Sequence, residues 1–183
     1  MNIFELCSDY SSNFSREKCT LLYGGEQISE LLCIESGLVG MQTITEQGER
    51  SLISLFSAGS FLPLSRLVLD EHSPFDFVTL TQVSYKKIPI DVCKKWMSEH
   101  SFFKEHILLT LAKRHQNLIQ QIVAFKQPTA QLKIETILKQ LETLHTSAEK
   151  QALTLPVERL SQQDIADLAG VSRETVSRYF RQK

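Results

Sequence analysis

The sequence of 183 residues is 42% hydrophobic and 22% charged, a composition typical of globular proteins and far from that of disordered chains. This length suits one large domain or two small ones and excludes a mere peptide scaffold. Lys and Arg number 20 and Asp and Glu number 21, for a net charge of -1, so bulk charge cannot hold the protein on nucleic acid. Any nucleic-acid site must be local.

The N-terminus and the longest apolar stretches bear on the cellular compartment. Residues 1–14 lack the basic segment and the apolar run of a secretory signal. The apolar stretches at 31–34 and 107–112 are far shorter than the roughly 20 residues of a membrane span. The sequence therefore predicts a cytoplasmic protein with no membrane partner.

The cysteines are scattered and include no CxxC pair. This pattern argues against a disulfide framework and against a zinc site. We expect free thiols that are mostly buried, and no metal site. The four positions are Cys7, Cys19, Cys33 and Cys93.

Glycines divide the first half of the chain into short segments of β character. Gly25, Gly37, Gly48 and Gly59 recur at intervals of 12, 11 and 11 residues. Regular spacing of this kind, with turn residues between apolar runs, is typical of an all-β sandwich or barrel. The run at 75–88 alternates like a half-buried strand or strand pair. These patterns predict a β-roll, or jelly roll, over about the first 90 residues.

A long helix follows, because residues 98–127 contain no glycine or proline and apolar positions return every three or four residues. Two interpretations remain open for its apolar seam. The seam packs on the β-roll, or it pairs with its twin in a parallel homodimer, which the 3.5-residue period favours. His115 within it is interpreted as a polar residue that fixes register rather than as a metal ligand. The seam residues are Leu108, Leu111, His115, Leu118, Ile122 and Phe125.

Pro128 ends this helix and suits the start of the next, so it predicts a hinge. A second amphipathic helix is expected beyond it, and the polar stretch at 145–151 is expected to form a loop. The apolar positions of that helix are Leu132, Ile134, Ile137, Leu138, Leu141 and Leu144.

The C-terminal residues have the spacing of a helix–turn–helix. Ser161 is a good N-cap for a short helix to about Leu168, Gly170 suits a tight turn with positive φ, and Ser172 caps a second helix. Ala166 is small where the two helices must approach closely. The apolar residues expected to lock the helices together are Ile165, Val171, Val176 and Tyr179.

The outer face of the second helix is polar and carries Arg173, Glu174, Ser177 and Arg178. Such a face is often only solvated surface. Here the small residue, the turn glycine and the two caps coincide, which favours DNA recognition.

The segment SQQDIADLAGVSRETVSRYF at 161–180 resembles the helix–turn–helix signature of the cyclic-AMP receptor protein and FNR family of bacterial transcription regulators. The predicted order of elements is also similar to that family. The resemblance implies an α+β fold with a β-roll sensor-like domain at 1–97, a dimerisation helix at 98–127 and a helix–turn–helix DNA-binding domain at 128–183. It further implies a homodimeric regulator that binds double-stranded DNA at an inverted-repeat operator, with RNA polymerase as a partner.

The resemblance also assigns roles within the helix–turn–helix. The helix after Ser172 enters the major groove, where Arg173, Glu174, Ser177 and Arg178 contact base edges. Arginine can donate to guanine O6 and N7, and glutamate can accept from cytosine N4. Contacts to phosphates position the protein on the duplex without reading its base sequence. The residues assigned to these contacts are Ser161, Gln162, Gln163, Ser172 and Thr175.

Three departures from the family pattern concern the effector. Members that bind cyclic AMP hold its ribose with a Gly-Glu pair and its phosphate with an Arg-Ser or Arg-Ala pair. Here Gly59 precedes Ser60 and Phe61, and Asp76 precedes Phe77 and Val78. The long helix also lacks the Thr-Ser pair that meets adenine. Cys7 and Cys19 do not form the closely spaced cysteine group that holds an iron–sulfur cluster. The sequence also contains no recognisable haem-binding motif. The sequence therefore predicts that the protein binds neither cyclic AMP nor an iron–sulfur cluster. Its effector is then another small organic molecule, or it has no effector.

Two further observations bear on function class. Family members continue past the recognition helix into a β-hairpin wing, whereas this sequence stops at Lys183. Either the wing is truncated or it is absent, and DNA affinity in this form is expected to be reduced. With only one net positive charge over 151–183, an interaction module with weakened DNA binding is the alternative. An enzyme finds no support, because no P-loop, Gly-x-Ser-x-Gly, HExxH or acid pair is present.

Overall fold

Two four-stranded antiparallel sheets form the N-terminal half of the chain. The computed structural model describes residues 2–46, 48–69, 71–149 and 160–182, with backbone only for 143–149. One sheet has the order β1-β8-β3-β6 and the other the order β2-β7-β4-β5, which confirms the predicted β-roll. The strands are β1 (Ser12–Ser15), β2 (Thr20–Leu22), β3 (Glu30–Ser36), β4 (Val39–Ile44), β5 (Arg50–Phe56), β6 (Phe61–Leu62), β7 (Asp76–Thr79) and β8 (Val83–Pro89).

The predicted run at 75–88 is a strand pair that divides between the two sheets. Strand β7 pairs with β4 in one sheet, and β8 pairs with β3 in the other. The turn glycine Gly37 has φ +88, and a Cβ there would collide with the Gln82 carbonyl. Only glycine fits this corner, which is why the glycine spacing revealed the roll.

The two faces of the first sheet are covered by different partners. Leu32, Ile34 and Val83 face the second sheet, where Phe56 and Phe77 meet edge to face with ring centroids 5.5 Å apart. The opposite face is covered by helices, through a cluster that includes the buried cysteines and the aromatic residues Phe61, Trp96 and Phe103. All four cysteines are free; Cys7, Cys33 and Cys93 are buried and Cys19 is exposed.

Seven helices accompany the sheets in the described parts of the chain. The predicted long helix begins at Ser101 rather than at residue 98, because His100 is extended (φ -116, ψ 100) and separates it from another helix. The expected loop at 145–151 is wrong for 145–149, which continue the preceding helix, and the rest of it lies outside the described residues. No glycine or proline occurs from 129 to 155 to stop that helix earlier. The helices are α1 (Ile3–Leu6), α2 (Ser65–Val68), α3 (Ile90–Glu99), α4 (Ser101–Phe125), α5 (Ala130–Glu149), α6 (Gln162–Ala169) and α7 (Arg173–Arg181).

No described helix is both long enough and apolar enough to pass through a bilayer.

The C-terminal helices share a core with one strand of the roll. Ile134, Ile165 and Val176, from α5, α6 and α7, are buried together with Ala124 at the end of α4. Leu52 of β5 belongs to the same cluster and is 2% exposed. The helix–turn–helix is therefore docked against the roll as well as against the end of α4.

Candidate nucleic-acid interface

A capping box starts the first helix of the helix–turn–helix. The Ser161 hydroxyl oxygen accepts from the Asp164 backbone N–H at 3.2 Å, and the Asp164 carboxylate accepts from the Ser161 N–H at 2.8 Å. Two backbone donors that the helix cannot satisfy itself are thereby paired. The predicted N-cap at Ser161 is confirmed.

The turn between the helices depends on a left-handed glycine. Gly170 has φ 62 and ψ 44, and the Val171 N–H donates to the Ala166 carbonyl at 3.0 Å. A Cβ at Gly170 would lie 3.0 Å from the Phe125 ring. Ala166 is fully buried, as the close approach of the two helices requires. The predicted roles of both small residues agree with this geometry.

The second helix begins at a cap and buries one face. The Ser172 hydroxyl oxygen accepts from the Thr175 N–H at 3.3 Å, which confirms the predicted N-cap. Val176 and Tyr179 are buried against α6, as expected from their apolar character. Because these two residues fix the inner face of α7, its opposite face is turned to solvent.

The outer face of α7 carries the candidate base-contacting side chains. Arg173, Glu174 and Arg178 are exposed, and Ser177 is half-buried. Hydrogen bonds from its own backbone N–H, then from Ser172, lower the pKa of the Glu174 carboxyl. Glu174 is therefore ionised at neutral pH and can only accept hydrogen bonds, as contact with cytosine N4 requires.

The candidate phosphate contacts are mostly exposed, but most of their side chains are engaged within the protein. The Ser161 hydroxyl donates to the Asp164 carboxylate at 2.7 Å, and the Ser172 and Thr175 hydroxyls are hydrogen-bonded to each other at 3.0 Å. Ser161, Gln162 and Ser172 are exposed and Thr175 is half-buried. The Gln163 amide donates to the Asp167 carboxylate at 2.7 Å. Gln163 therefore has a structural partner in this arrangement, whereas Gln162 beside it has its side chain in solvent.

Asp167, which the sequence interpretation passed over, joins the helix–turn–helix to the roll. Its second carboxylate oxygen accepts from the Leu52 backbone N–H at 2.8 Å. Nearby, the Gln121 amide lies 3.3 Å from the Ile53 carbonyl and 3.4 Å from that of Leu168, and donates to both. These contacts span up to 115 residues, so no local pattern could have revealed them.

The predicted seam on α4 is exposed, although Leu111, His115 and Leu118 also border a cavity between α4 and the roll. Its apolar members are between 42% and 57% exposed, and His115 is also exposed. Phe125, at the end of the seam, additionally lies against the turn at Gly170. This exposure leaves the seam accessible to a second helix, and pairing through it stays a prediction. Its apolar members are Leu108, Leu111, Leu118, Ile122 and Phe125.

Comparison with known families covers both halves of the chain. The sequence model of the cyclic nucleotide-binding domain matches residues 14–100, and that of the Crp-like helix-turn-helix domain matches residues 134–182. The chain belongs to the Crp/Fnr family of transcription regulators. The fold predicted from the resemblance is confirmed.

Two relatives in this family are bacterial regulators. The cAMP-activated global transcriptional regulator CRP of Pasteurella multocida is 24% identical over 175 residues, covering 90% of this chain and 78% of that protein. The fumarate and nitrate reduction regulatory protein of Vibrio cholerae serotype O1 is 22% identical over 162 residues, covering 86% of this chain. The chain spans 62% of the length of that second relative.

Solved structures in the Crp/Fnr family share the fold. The c-di-GMP responsive regulator CLP of Xanthomonas campestris has a TM-score of 0.76 at 18% identity, covering 98% of this chain and 89% of that one. FixK2 of Bradyrhizobium japonicum has a TM-score of 0.75 at 15% identity, covering 94% and 83%. At these identities the likeness concerns architecture alone.

The roll departs from the cyclic-AMP-binding members of the Crp/Fnr family where they grip the nucleotide. Phe61 is 1% exposed and packs edge to face on Phe103, with ring centroids 5.3 Å apart. Phe77 is buried, and the Asp76 carboxylate accepts from the Gly24 N–H at 2.8 Å. Aromatic rings and a carboxylate do not hold an anionic phosphate. This arrangement supports the prediction against cyclic AMP.

Among the described residues, no group of three or more His, Cys, Asp or Glu side chains could hold a metal ion.

Proposed function

We propose that this protein is a sequence-specific, DNA-binding transcription regulator that acts as a homodimer on an inverted-repeat operator. The observation that carries the proposal is the outer face of α7, where Arg173, Glu174 and Arg178 stand exposed on a capped helix–turn–helix. Membership of the Crp/Fnr family supports DNA as the partner of this face.

Base recognition follows from the donors and acceptors on α7. Arg173 and Arg178 each present a planar fork of donors that fits guanine O6 and N7, and ionised Glu174 accepts from cytosine N4. Ser177 is a further candidate. Each good pair contributes about 1–3 kcal/mol of discrimination against the wrong base.

Phosphate contacts orient the domain on the duplex. The exposed hydroxyls of Ser161 and Ser172 lie at the N-termini of α6 and α7, where unpaired backbone N–H groups favour an anion. Gln162 is the exposed amide on the first turn of α6, and Thr175 is a further candidate. Gln163 would have to leave Asp167 to reach a phosphate, since its amide donates there.

Dimerisation through the seam on α4 gives the operator its symmetry. A parallel pair of these helices places two copies of α7 about one turn of DNA apart, roughly 34 Å. Half-site centres are then separated by one helical turn in an inverted repeat. Guanine opposite an arginine and cytosine opposite Glu174 are consistent with a TGA-containing half-site, as the family resemblance suggests.

The cellular setting follows from DNA as the partner. A bacterial regulator of this kind acts in the cytoplasm and meets RNA polymerase at the promoter. The roll supplies a sensor-like domain for an effector other than cyclic AMP.

Selection from random duplexes tests the base contacts. We expect the wild-type protein to select a twofold-symmetric motif, and Glu174→Ala to relax the preference at one base pair per half-site by about 1–3 kcal/mol. Gln162→Ala, the matched control on the other helix, should weaken all duplexes alike, because a phosphate contact is independent of sequence.

An asymmetric motif, or a motif unchanged by Glu174→Ala, would refute this assignment of residues. Failure to bind any duplex at low salt would instead favour an interaction module of the same fold that has lost DNA binding.

A further inference from the structure

A cavity of 630 Å³ lies where the roll, α4 and the DNA-binding helices meet. This volume lies within the range of about 300–1,000 Å³ that is typical of small-molecule sites. Most of its wall is apolar. Representative side chains are Leu55, Phe75 and Phe77 from the roll, Leu118 from α4, Ile137 from α5 and Leu168 from α6.

One cation faces this apolar wall. Arg114 of α4 is the single Lys or Arg among the described residues that line the cavity. Its guanidinium carbon lies 3.7 Å from the centroid of the Phe56 ring. Burial lowers the pKa of Arg114 to about 10, so the group is still charged at neutral pH.

Among the residues that the structure describes, no anion pairs with the Arg114 guanidinium. Within the described parts of the chain, no ion pair or hydrogen bond joins it to an acceptor, and its contact with Phe56 is to an aromatic ring. The acidic lining residue, Glu71, is exposed at the rim and forms no ion pair with it. A half-buried charge without a partner is costly, so an anion that enters the cavity gains a ready partner.

We propose that this cavity binds a small apolar carboxylic acid, with its carboxylate on Arg114 and its hydrocarbon body against the apolar wall. The fork of a guanidinium matches a carboxylate through two parallel hydrogen bonds. A single guanidinium in a mostly apolar wall suits a ligand with one anionic group and a hydrocarbon body. The inference rests on the proposed function, because it names the effector class of that regulator.

The walls give such an acid a route to the DNA-binding domain. Leu118 belongs to the seam on α4, and Ile137 and Leu168 belong to the core beneath α7. A bound acid therefore contacts both the dimerisation helix and the DNA-binding helices. Any difference in its affinity between two arrangements of these helices shifts their populations and hence the affinity for DNA.

Calorimetry without DNA tests the charge requirement. The probes are decanoate, below its micelle concentration, and 2-naphthoate, each compared with its neutral amide. We expect at least one acid to bind at micromolar concentration and its amide to bind at least about tenfold more weakly, because only the acid pairs with the guanidinium. Equal binding of acid and amide, or no binding of either acid, would overturn the proposal.

Substitutions test the role of Arg114 as the partner of the carboxylate. Arg114→Gln should weaken binding of the acid at least about tenfold and leave binding of the amide unchanged. Arg114→Lys should retain part of the difference in affinity between acid and amide. Arg50→Gln removes an exposed arginine outside the cavity and should bind like the wild type. If Arg114→Gln binds the acid with wild-type affinity, Arg114 is not the partner of the carboxylate. The comparison of acid with amide uses the wild-type protein, so it does not depend on the folding of a variant.

Fluorescence anisotropy on the selected duplex then separates the two proposals. We expect the bound acid to change DNA affinity several-fold in the wild type and not in Arg114→Gln. Normal DNA binding without acid binding overturns this inference alone, and acid binding without DNA binding overturns the proposed function alone. Acid binding that leaves DNA affinity unchanged overturns the role as effector.

Discussion

At the scale of single residues, burial sets the reactivity of the cysteines. Cys7, Cys33 and Cys93 are buried and Cys19 is exposed, and burial raises the pKa of Cys93 to about 12. Since only an accessible thiolate reacts quickly, we expect Ellman's reagent to modify Cys19 rapidly in the native protein and the other three only after unfolding. Cys19→Ser should abolish the rapid phase. Rapid reaction of that variant would show that the helical cover of the first sheet opens readily.

Residue chemistry was predictable where the partner is close in sequence. Ser161, Gly170 and Ser172 act on backbone groups within a few residues, so residue type and spacing reveal their roles. Asp167 is a carboxylate on a short helix and carries no local sign of its bond to Leu52. Arg114 likewise appeared as one more polar residue on a long helix, because its position over Phe56 depends on the docking of α4 against the roll.

At the scale of elements, the proposed dimer interface is the seam on α4. Leu118→Glu with Ile122→Glu should give monomers in sedimentation, because paired helices would bury unpaired carboxylates at high cost. Gln116→Glu with Gln120→Glu adds the same charges at exposed positions off the seam and should leave the dimer intact. An unchanged mass for the seam variant would exclude this face as the interface.

Element boundaries show where periodicity fails. Residues 98–127 contain no breaker, so the sequence predicts one helix, yet His100 interrupts it. The cause is tertiary, because Trp96 and Phe103 pack in the same cluster with ring centroids 5.5 Å apart. One straight helix would point side chains seven positions apart in nearly the same direction while holding them about 10 Å apart along its axis. The break lets both rings reach one site.

At the scale of the whole molecule, the DNA-binding domain covers an edge of the roll. Strand β5 is the last strand of its sheet, and a register shift against β4 leaves Ile53 without a partner there. The Leu52 N–H donates to Asp167, and the Ile53 carbonyl accepts from Gln121. Side chains of α6 and α4 thus satisfy backbone groups that a further strand would otherwise pair.

This docking predicts that Asp167 controls the protection of β5. In Asp167→Ala the N–H of the buried residue Leu52 loses its charged acceptor, at a cost of about 1–3 kcal/mol. We therefore expect peptides that span Arg50–Phe56 to exchange amide hydrogen faster, as measured by mass spectrometry. Asp167→Asn keeps an acceptor oxygen of similar size and should restore much of the protection.

The same substitution separates the position of α7 from its chemistry. Because α7 packs on α6, loosening α6 on β5 changes how the two copies of α7 in a dimer are held, while Arg173, Glu174 and Arg178 stay in place. Asp167→Ala should therefore change the affinity for the selected operator and leave the selected bases unaltered. A changed base preference would place Asp167 in recognition itself, and unchanged exchange of β5 would show that this bond does not hold the domain on the roll.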